Sequence, residues 1–315
     1  MSSQEPVYTN DQLEHYLQRI NYADSAHPRL PHLHEAIRNA PLEALAELQR
    51  RHLCSIPWGN SSLHYSQHRC ISVHPQAVYE KLVLRRLDGY CMETTNLFYG
   101  TLRSLGYQVY PTAGRVSRQL MNGAEDVLFT ALSHMVLIAT IDGEKYMVDV
   151  GFGNACATRP IPLQENIIMP YIAPAEMRLI QDSLDEFTDK SQRVWIYQVR
   201  YTPRDYWITN VCFSEAEFLS QDFALISFFT SQHPSSWFTQ TFVCNLMIMH
   251  ENEQEVKGQY VISGKEVKRR INGQTEVIET LNSEDDRVRA LAKWFGLHLR
   301  KDEVEGIRGL SSELK

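Results

Sequence analysis

No two of the six cysteines stand in a C-x-x-C spacing, and the polar, acidic stretch Met1 to Gln12 lacks the apolar core of a secretory signal. A zinc site is therefore not expected, and a reduced, cytoplasmic protein is. Long apolar runs are missing too: the longest, Met135 to Ala139, falls far short of a bilayer's width, so no membrane partner is expected. Positive charge is scarce. A formal charge of -7 argues against the basic footprint of nucleic-acid binding. The one basic cluster, Lys265 to Arg270, is broken by Glu266 and Val267 and reads as a solvated hairpin. Internal repeats and low-complexity tracts are absent. What is present is a chain of 315 residues, 43% apolar and 10% aromatic, long enough to bury a large core in two or three lobes.

From Thr9 to Lys81 the pattern is one of short helices punctuated by Pro28, Pro31, Pro41 and Pro57. Asn10 is a candidate cap for the first, with Leu13, Tyr16, Leu17 and Ile20 at helical spacing, and a second spans Pro41 to Arg51 with Leu42, Leu45, Ala46 and Leu48 inward. Cys91 to Leu105 reads as a third, with Leu97, Phe98, Thr101, Leu102 and Leu105 on one face and Gly106 as its stop. The period then changes. Tyr107 to Ala113, Leu132 to Thr140, Lys145 to Val150, Val194 to Tyr201 and Trp207 to Phe213 read as strands of an antiparallel sheet or small barrel. Pro160 to Gln192, proline-bearing and acidic in its second half, reads as a surface insertion. In the last third, Glu215 to Phe229 and Asp285 to Phe295 suggest helices, Phe242 to His250 and Gln259 to Val261 strands, and Lys301 to Lys315 a frayed end.

Three residues in this pattern carry chemistry. Cys91, at the first turn of a helix, meets backbone N–H groups and the positive end of a dipole, both of which favour a thiolate. Taken alone, a cysteine there is more often a small buried apolar residue than a nucleophile. Asp142-Gly143 signals a two-residue type I′ turn, which pairs Ile141 with Glu144 and, carried outward, His134 with Gly151. His134 and Asp149 then become diagonal neighbours on one sheet face, roughly 7–8 Å apart at their α-carbons, within reach of an imidazole–carboxylate bond. Asp149 steers one ring nitrogen and the other faces the thiol, which gives a Cys-His-Asp arrangement with a thiolate–imidazolium ground state. The same register sets Gly151 opposite His134, where a missing side chain leaves room for a substrate. Gly151-Phe152-Gly153 permits close backbone approach to a ligand, although such pairs also mark bulges and tight turns.

Gly89-Tyr90-Cys91-Met92-Glu93, Thr130 to His134, Thr140-Ile141-Asp142-Gly143 and Val148-Asp149-Val150-Gly151-Phe152-Gly153 resemble, in order and spacing, the arylamine N-acetyltransferase family. That family carries an Arg-Gly-Gly-aromatic-Cys segment at a helix start, then a His and an Asp in this spacing, then Gly-x-Gly. Pro234-Ser235-Ser236-Trp237-Phe238 resembles its Ser-Ser-x-Phe segment near coenzyme A. The likeness runs from Thr9 to Leu299, and Met92-Glu93 and the long insertion look more like eukaryotic, fungal members than bacterial ones. It implies an α+β fold with a cysteine-protease-like core: a helical bundle over residues 1–105, an antiparallel β-barrel over 106–213 with the insertion 160–192, and an α/β lid over 214–315. It also implies a ping-pong reaction in which Cys91 takes an acetyl or malonyl group from acyl-coenzyme A and an arylamine or hydrazine nitrogen removes it. No permanently bound cofactor is implied. By position, Thr130, Gly151, Gly153, Ser235 and Ser236 match residues near coenzyme A, and Phe152 matches an acceptor-pocket side chain. Ser235 and Ser236 are equally explained as a helix cap after Pro234.

Where the family has Arg-Gly-Gly this chain reads Leu87-Asp88-Gly89, with Arg86 one place early, and Thr94-Thr95 replaces an amide-bearing residue after the Glu. Asp88 is expected either to raise the thiol pKa by like-charge repulsion or to pair with Arg86. Two other functions compete: an amide synthase on a carrier-bound acyl chain, disfavoured by the lack of a basic patch, and a non-catalytic paralogue that binds an acyl-coenzyme A or an arylamine. A hydrolytic cysteine protease fits the Gly-x-Gly segment poorly. A monomer or weak dimer is expected.

Overall fold

The structure is a computed structural model that describes residues 7–23, 28–119 and 127–315; the first six residues of the polar amino terminus lie outside the described residues. Helix α1, Asn10–Arg19, is capped by Thr9 rather than Asn10: the Thr9 hydroxyl accepts from Gln12 N at 3.3 Å and Gln12 Oε1 accepts from Thr9 N at 3.0 Å. Leu13, Tyr16, Leu17 and Ile20 are buried, as their spacing requires. Helix α2 covers Arg29–Asn39 and α3 covers Pro41–Ser55. The latter starts on a proline, whose missing N–H costs nothing there, and runs past Arg51 until Pro57 forces Ile56 into extended backbone. Short helices α4, Ser61–His64, and α5, Pro75–Tyr79, follow, then a π-turn at Glu80–Leu84 and helix α6, Cys91–Ser104. Gly106, at φ +87°, releases the chain from α6 into the sheet.

Strand β1, Trp58–Gly59, belongs to a sheet built mostly from the last third of the chain. Strands β2 (Gln108–Ser117), β3 (Phe129–Ile141), β4 (Glu144–Val148), β5 (Ile161–Pro162), β6 (Met169–Pro170), β7 (Glu176–Asp182), β8 (Val194–Arg200) and β9 (Ile208–Phe213) form one antiparallel sheet in the order β5-β4-β3-β2-β9-β8-β7-β6. It curls until β5 lies against β7, which nearly closes a barrel. Pro160 to Gln192, expected as a surface insertion, supplies β5 to β7, and Met177 and Leu179 of β7 are fully buried.

Helix α7, Ser220–Gln232, and the short α8, Trp237–Gln240, lead into β10 (Val243–Met249), β11 (Val256–Ser263), β12 (Glu266–Ile271) and β13 (Gln274–Thr280). With β1 these form the order β1-β10-β11-β12-β13, so the basic cluster does lie in a hairpin strand. Helix α9, Glu284–Phe295, packs on this sheet, capped by Ser283. The carboxyl end is not frayed. A short helix, Lys301–Val304, leads to a buried Ile307, and the tail is tied down where Ser312 Oγ meets His64 Nδ1 at 2.7 Å and Ser312 O accepts from Arg287 at 2.9 Å. One apolar core joins α1 to α3, α6 and the barrel. A second lies between the five-stranded sheet and α9.

Candidate active site

Cys91 is the first residue of α6, directly below Tyr90, whose backbone N–H is held by Glu93 Oε2 at 3.3 Å. His134 stands on β3, and Asp149 is the first residue past β4. The side chains converge. Asp149 Oδ2 lies 2.7 Å from His134 Nε2, which leaves Nδ1 to face the Cys91 side, and the nearby thiol helps to raise the ring's pKa. Cys91 Sγ also lies 3.6 Å from Ser133 O. The three residues are 4%, 2% and 0% exposed, so the bond between ring and carboxylate is made away from water. Burial alone pushes an imidazole toward its neutral form, but the Asp149 charge and bond, with Cys91 adding to them, outweigh it and carry His134 from 6.5 up to about 10.

Asp149 is held from three directions. Its Oδ1 accepts from Gly151 N at 2.7 Å, and its backbone oxygen accepts from Gln49 Nε2 at 2.9 Å and from the Cys156 thiol at 3.2 Å. Gln49 also donates to Ala157 O at 2.8 Å, so one fully buried amide on α3 pins both ends of the loop that carries the carboxylate. Burial and the Asp149 charge keep Cys156 a thiol, with a pKa well above the ordinary value, and so a donor. Neither Gln49 nor Cys156 stands out in the sequence. The only available signal was a polar residue four places after Leu45, on a helix face that also carries the buried His52.

The turn at Asp142 (φ 51°) and Gly143 (φ 86°) and the register Ile141↔Glu144 are as the sequence requires, and the ladder runs in step to Leu137↔Val148. There it stops. The chain turns away at Asp149, and His134 pairs with Gly114 of β2, not with Gly151. Gly151 instead faces α6: a Cβ there would lie 2.9 Å from both Cys91 Cα and Cys91 O and would collide with Thr95 Oγ1. Its missing side chain makes room for the Cys91 backbone, not for a substrate above the imidazole. Phe152 sits edge-on to His134, with ring centroids 4.9 Å apart.

A family model described as N-acetyltransferase matches residues 41–304. The N-malonyltransferase FDB2 of Gibberella moniliformis is 33% identical over 319 residues, covering 95% of this chain and 92% of its own. The arylamine N-acetyltransferase of Escherichia coli is 29% identical over 226 residues, 72% of this chain and 69% of its own. The Mycobacterium marinum arylamine N-acetyltransferase, solved in complex with CoA, superposes with a TM-score of 0.73 at 26% identity, over 95% of this chain and 99% of that one. The chain belongs to the arylamine N-acetyltransferase family. It is accordingly an N-acyltransferase with acyl-coenzyme A as co-substrate.

Around this arylamine N-acetyltransferase triad the remaining sequence candidates fall in two groups. Thr130 bonds Ser133 Oγ at 3.1 Å, next to the residue whose carbonyl meets Cys91. Gly153, at φ +67°, lies flat on Trp58, where a Cβ would come within 2.9 Å of the indole. Trp58 and Tyr90 both pack edge-on against Phe238, at 5.8 and 5.6 Å, and so tie the Pro234–Phe238 segment to the residue before Cys91. Ser235 is exposed and bonds His233 Nδ1 at 2.7 Å. Ser236 stands at the N-cap position of α8 but makes no side-chain cap bond; its hydroxyl donates to Thr230 O.

Asp88, expected to oppose the thiol or pair with Arg86, does neither by contact. It is fully buried and accepts from Ser61 N at 3.1 Å and from the Ser61 hydroxyl, which fixes the start of α4. Burial holds its pKa above the usual carboxylate range. Thr95, where an amide was missed, keeps a buried hydroxyl without a hydrogen-bond partner. Among the described residues no group of three or more His, Cys, Asp or Glu is arranged to hold a metal, and no helix is long and apolar enough to cross a membrane.

Proposed function

We propose that this enzyme moves an acetyl or malonyl group from acyl-coenzyme A to an arylamine or hydrazine nitrogen by way of a thioester on Cys91. One observation carries the reading: a single buried imidazole is bonded to the Asp149 carboxylate at 2.7 Å, while the Cys91 thiol stands 3.6 Å from the backbone oxygen of the residue just before that histidine. The thiolate attacks the donor's thioester carbonyl, and the tetrahedral intermediate expels coenzyme A as its thiol, protonated by the His134 imidazolium. One thioester has replaced another, so little free energy is lost. An aromatic amine is weakly basic and stays neutral near pH 7, where its lone pair attacks the acyl-cysteine. His134, now neutral, removes the N–H proton as the Cys91 thiolate leaves, which restores the starting pair. Asp149 holds the ring throughout.

Phe152, edge-on to His134, fits an acceptor-pocket wall. Thr130, Gly151, Gly153, Ser235 and Ser236 are assigned to the coenzyme A side, and of these Ser235 has the accessible hydroxyl. A cytoplasmic enzyme, working as a monomer or weak dimer, fits six cysteines that are all unpaired. Steady-state rates with acetyl- or malonyl-coenzyme A varied against aminophenol test the scheme. Parallel double-reciprocal lines are expected, and the donor with the larger kcat/KM names the acyl preference. Intersecting lines with both donors would contradict a covalent acyl-enzyme that forms before the acceptor binds.

A further inference from the structure

Two buried carboxylates bracket the nucleophile. Asp88, three residues before Cys91, is 0% exposed and Glu93, two residues after it, is 1% exposed. Each holds a different piece of the turn. Glu93 Oε2 accepts from Tyr90 N at 3.3 Å and closes the first turn of α6, while Asp88 accepts from Ser61 N at 3.1 Å and ties the lead-in segment to α4. Two carboxylates at such positions need a counter-ion, since a charge buried without one is far costlier than a pair. The nearby arginines do not supply it. Arg85 is committed to Glu303 at 2.7 Å, Arg86 lies near Arg19, and position 87, where the family carries arginine, is Leu87.

Lys81 does. From the π-turn Glu80–Leu84, its ammonium meets Glu93 Oε1 at 2.7 Å and also lies close enough to Asp88 to favour that carboxylate's charged form. Among the described residues it is the one cation in an ion pair with either group. The turn itself is unusual: Arg85 N reaches back five residues to Glu80 O at 2.8 Å. A π-turn of this kind is a frequent mark of functional sites.

We propose that Lys81 is a positioning residue for the nucleophile. As the counter-ion shared by Asp88 and Glu93, it supplies from the preceding turn the positive charge that Leu87 does not. This rests on the reading of Cys91 as the nucleophile. Burial drives both carboxylates toward their neutral forms and Lys81 opposes that, so its loss is felt on both sides of Cys91 at once. The other groups facing this cluster are the Tyr90 backbone and the Ser61 hydroxyl, neither of which titrates there, the Tyr90 phenol, which burial and the neighbouring Cys91 and Glu93 hold well above its ordinary pKa and so neutral, and the Cys244 thiol near Asp88.

The test compares K81M, E93Q, K81R and the double variant K81M/L87R by three readouts. These are the pH dependence of Cys91 alkylation by iodoacetamide, the rate of acyl uptake from acetyl- or malonyl-coenzyme A, and circular dichroism for folding. K81M and E93Q are expected to slow acyl uptake at least tenfold and to displace the alkylation profile, with the folded spectrum kept. K81R is expected to recover most of the rate, and L87R to rescue K81M in part. A folded K81M with wild-type alkylation and acyl uptake overturns the proposal. If K81M fails to fold, E93Q decides alone, because it retains an acceptor for Tyr90 N and loses only the charge; wild-type rates in E93Q overturn the proposal. If the unmutated protein takes up no acyl group, the reading of Cys91 has failed, while the iodoacetamide arm still reports on Lys81.

Discussion

Gly151→Ala separates two accounts of the same glycine. The added methyl would lie 2.9 Å from Cys91 Cα and from Cys91 O, where ordinary contact begins at 3.4 Å, so one backbone must retreat by about 0.5 Å. The side to yield is the α6 start or the Asp149 loop, because the obstructing atoms are main chain and have no rotamer to change. Overpacking of this sort costs roughly 1–3 kcal/mol, which lowers the unfolding temperature by a few degrees. Since a misplacement of about 1 Å can cost ~100-fold in rate, half of that predicts about a tenfold slower acylation of Cys91. Stopped acyl uptake followed by mass, beside a thermal melt, measures both. Adding Thr95→Ala removes the colliding hydroxyl but not the two backbone contacts, so rescue is expected to be partial. Had Gly151 been required to leave space for an acceptor, alanine would raise the acceptor KM while acyl uptake and melting temperature stayed at wild-type values. That result would refute the packing argument.

Asp149→Asn keeps the shape and removes the charge, so burial, opposed only by the smaller effect of Cys91, then returns His134 toward a neutral ring; acyl uptake at pH 7 is expected to fall by roughly a thousandfold or more. In the unaltered protein the His134 pKa is raised from 6.5 to about 10, so the pair's contribution to stability is complete below about pH 6.5 and lost as pH rises through about 10. Denaturant midpoints across that window, compared with Asp149→Asn, whose profile is expected to be flatter there, check the sign. Gln49→Leu strips the donor from two buried carbonyls at about 1–3 kcal/mol each, offset in part because Gln49 Oε1 has no partner to lose. A loss of roughly 2–4 kcal/mol in urea unfolding, with slowed acyl uptake, is expected.

The triad was legible because each part is local. A helix start defines Cys91, and a two-residue turn at Asp142-Gly143 sets a strand register that holds to Leu137↔Val148 and so delivers Asp149, the next residue, to the His134 ring. The same reasoning failed beyond Val148, since it carried the ladder on to His134↔Gly151. The Asp149 carboxylate captures the Gly151 N–H and turns the chain, a side-chain event that strand periodicity does not register. Strand β7 was hidden for a different reason. Its inward residues, Met177 and Leu179, are only two, the apolar Ile180 breaks the alternation after them, and prolines on its N-terminal side argued for loop. The carboxyl tail looked frayed because its charges are local while its anchors, His64 and Arg287, are distant in sequence. Gln49 and Lys81 are invisible for that same reason. Their partners lie 100 and 12 residues away, and the signal is the pairing rather than the residue.

The claim on which the rest depends is that the acyl group rests covalently on one sulfur. Incubation of the protein with acetyl- or malonyl-coenzyme A, acid quench and proteolytic peptide mapping by mass spectrometry locates it directly. The account predicts a single acyl thioester on the peptide containing Cys91, absent in Cys91→Ser and discharged when aminophenol is added before the quench. An acyl group found on another residue, or product formed at the wild-type rate by Cys91→Ser, would contradict it.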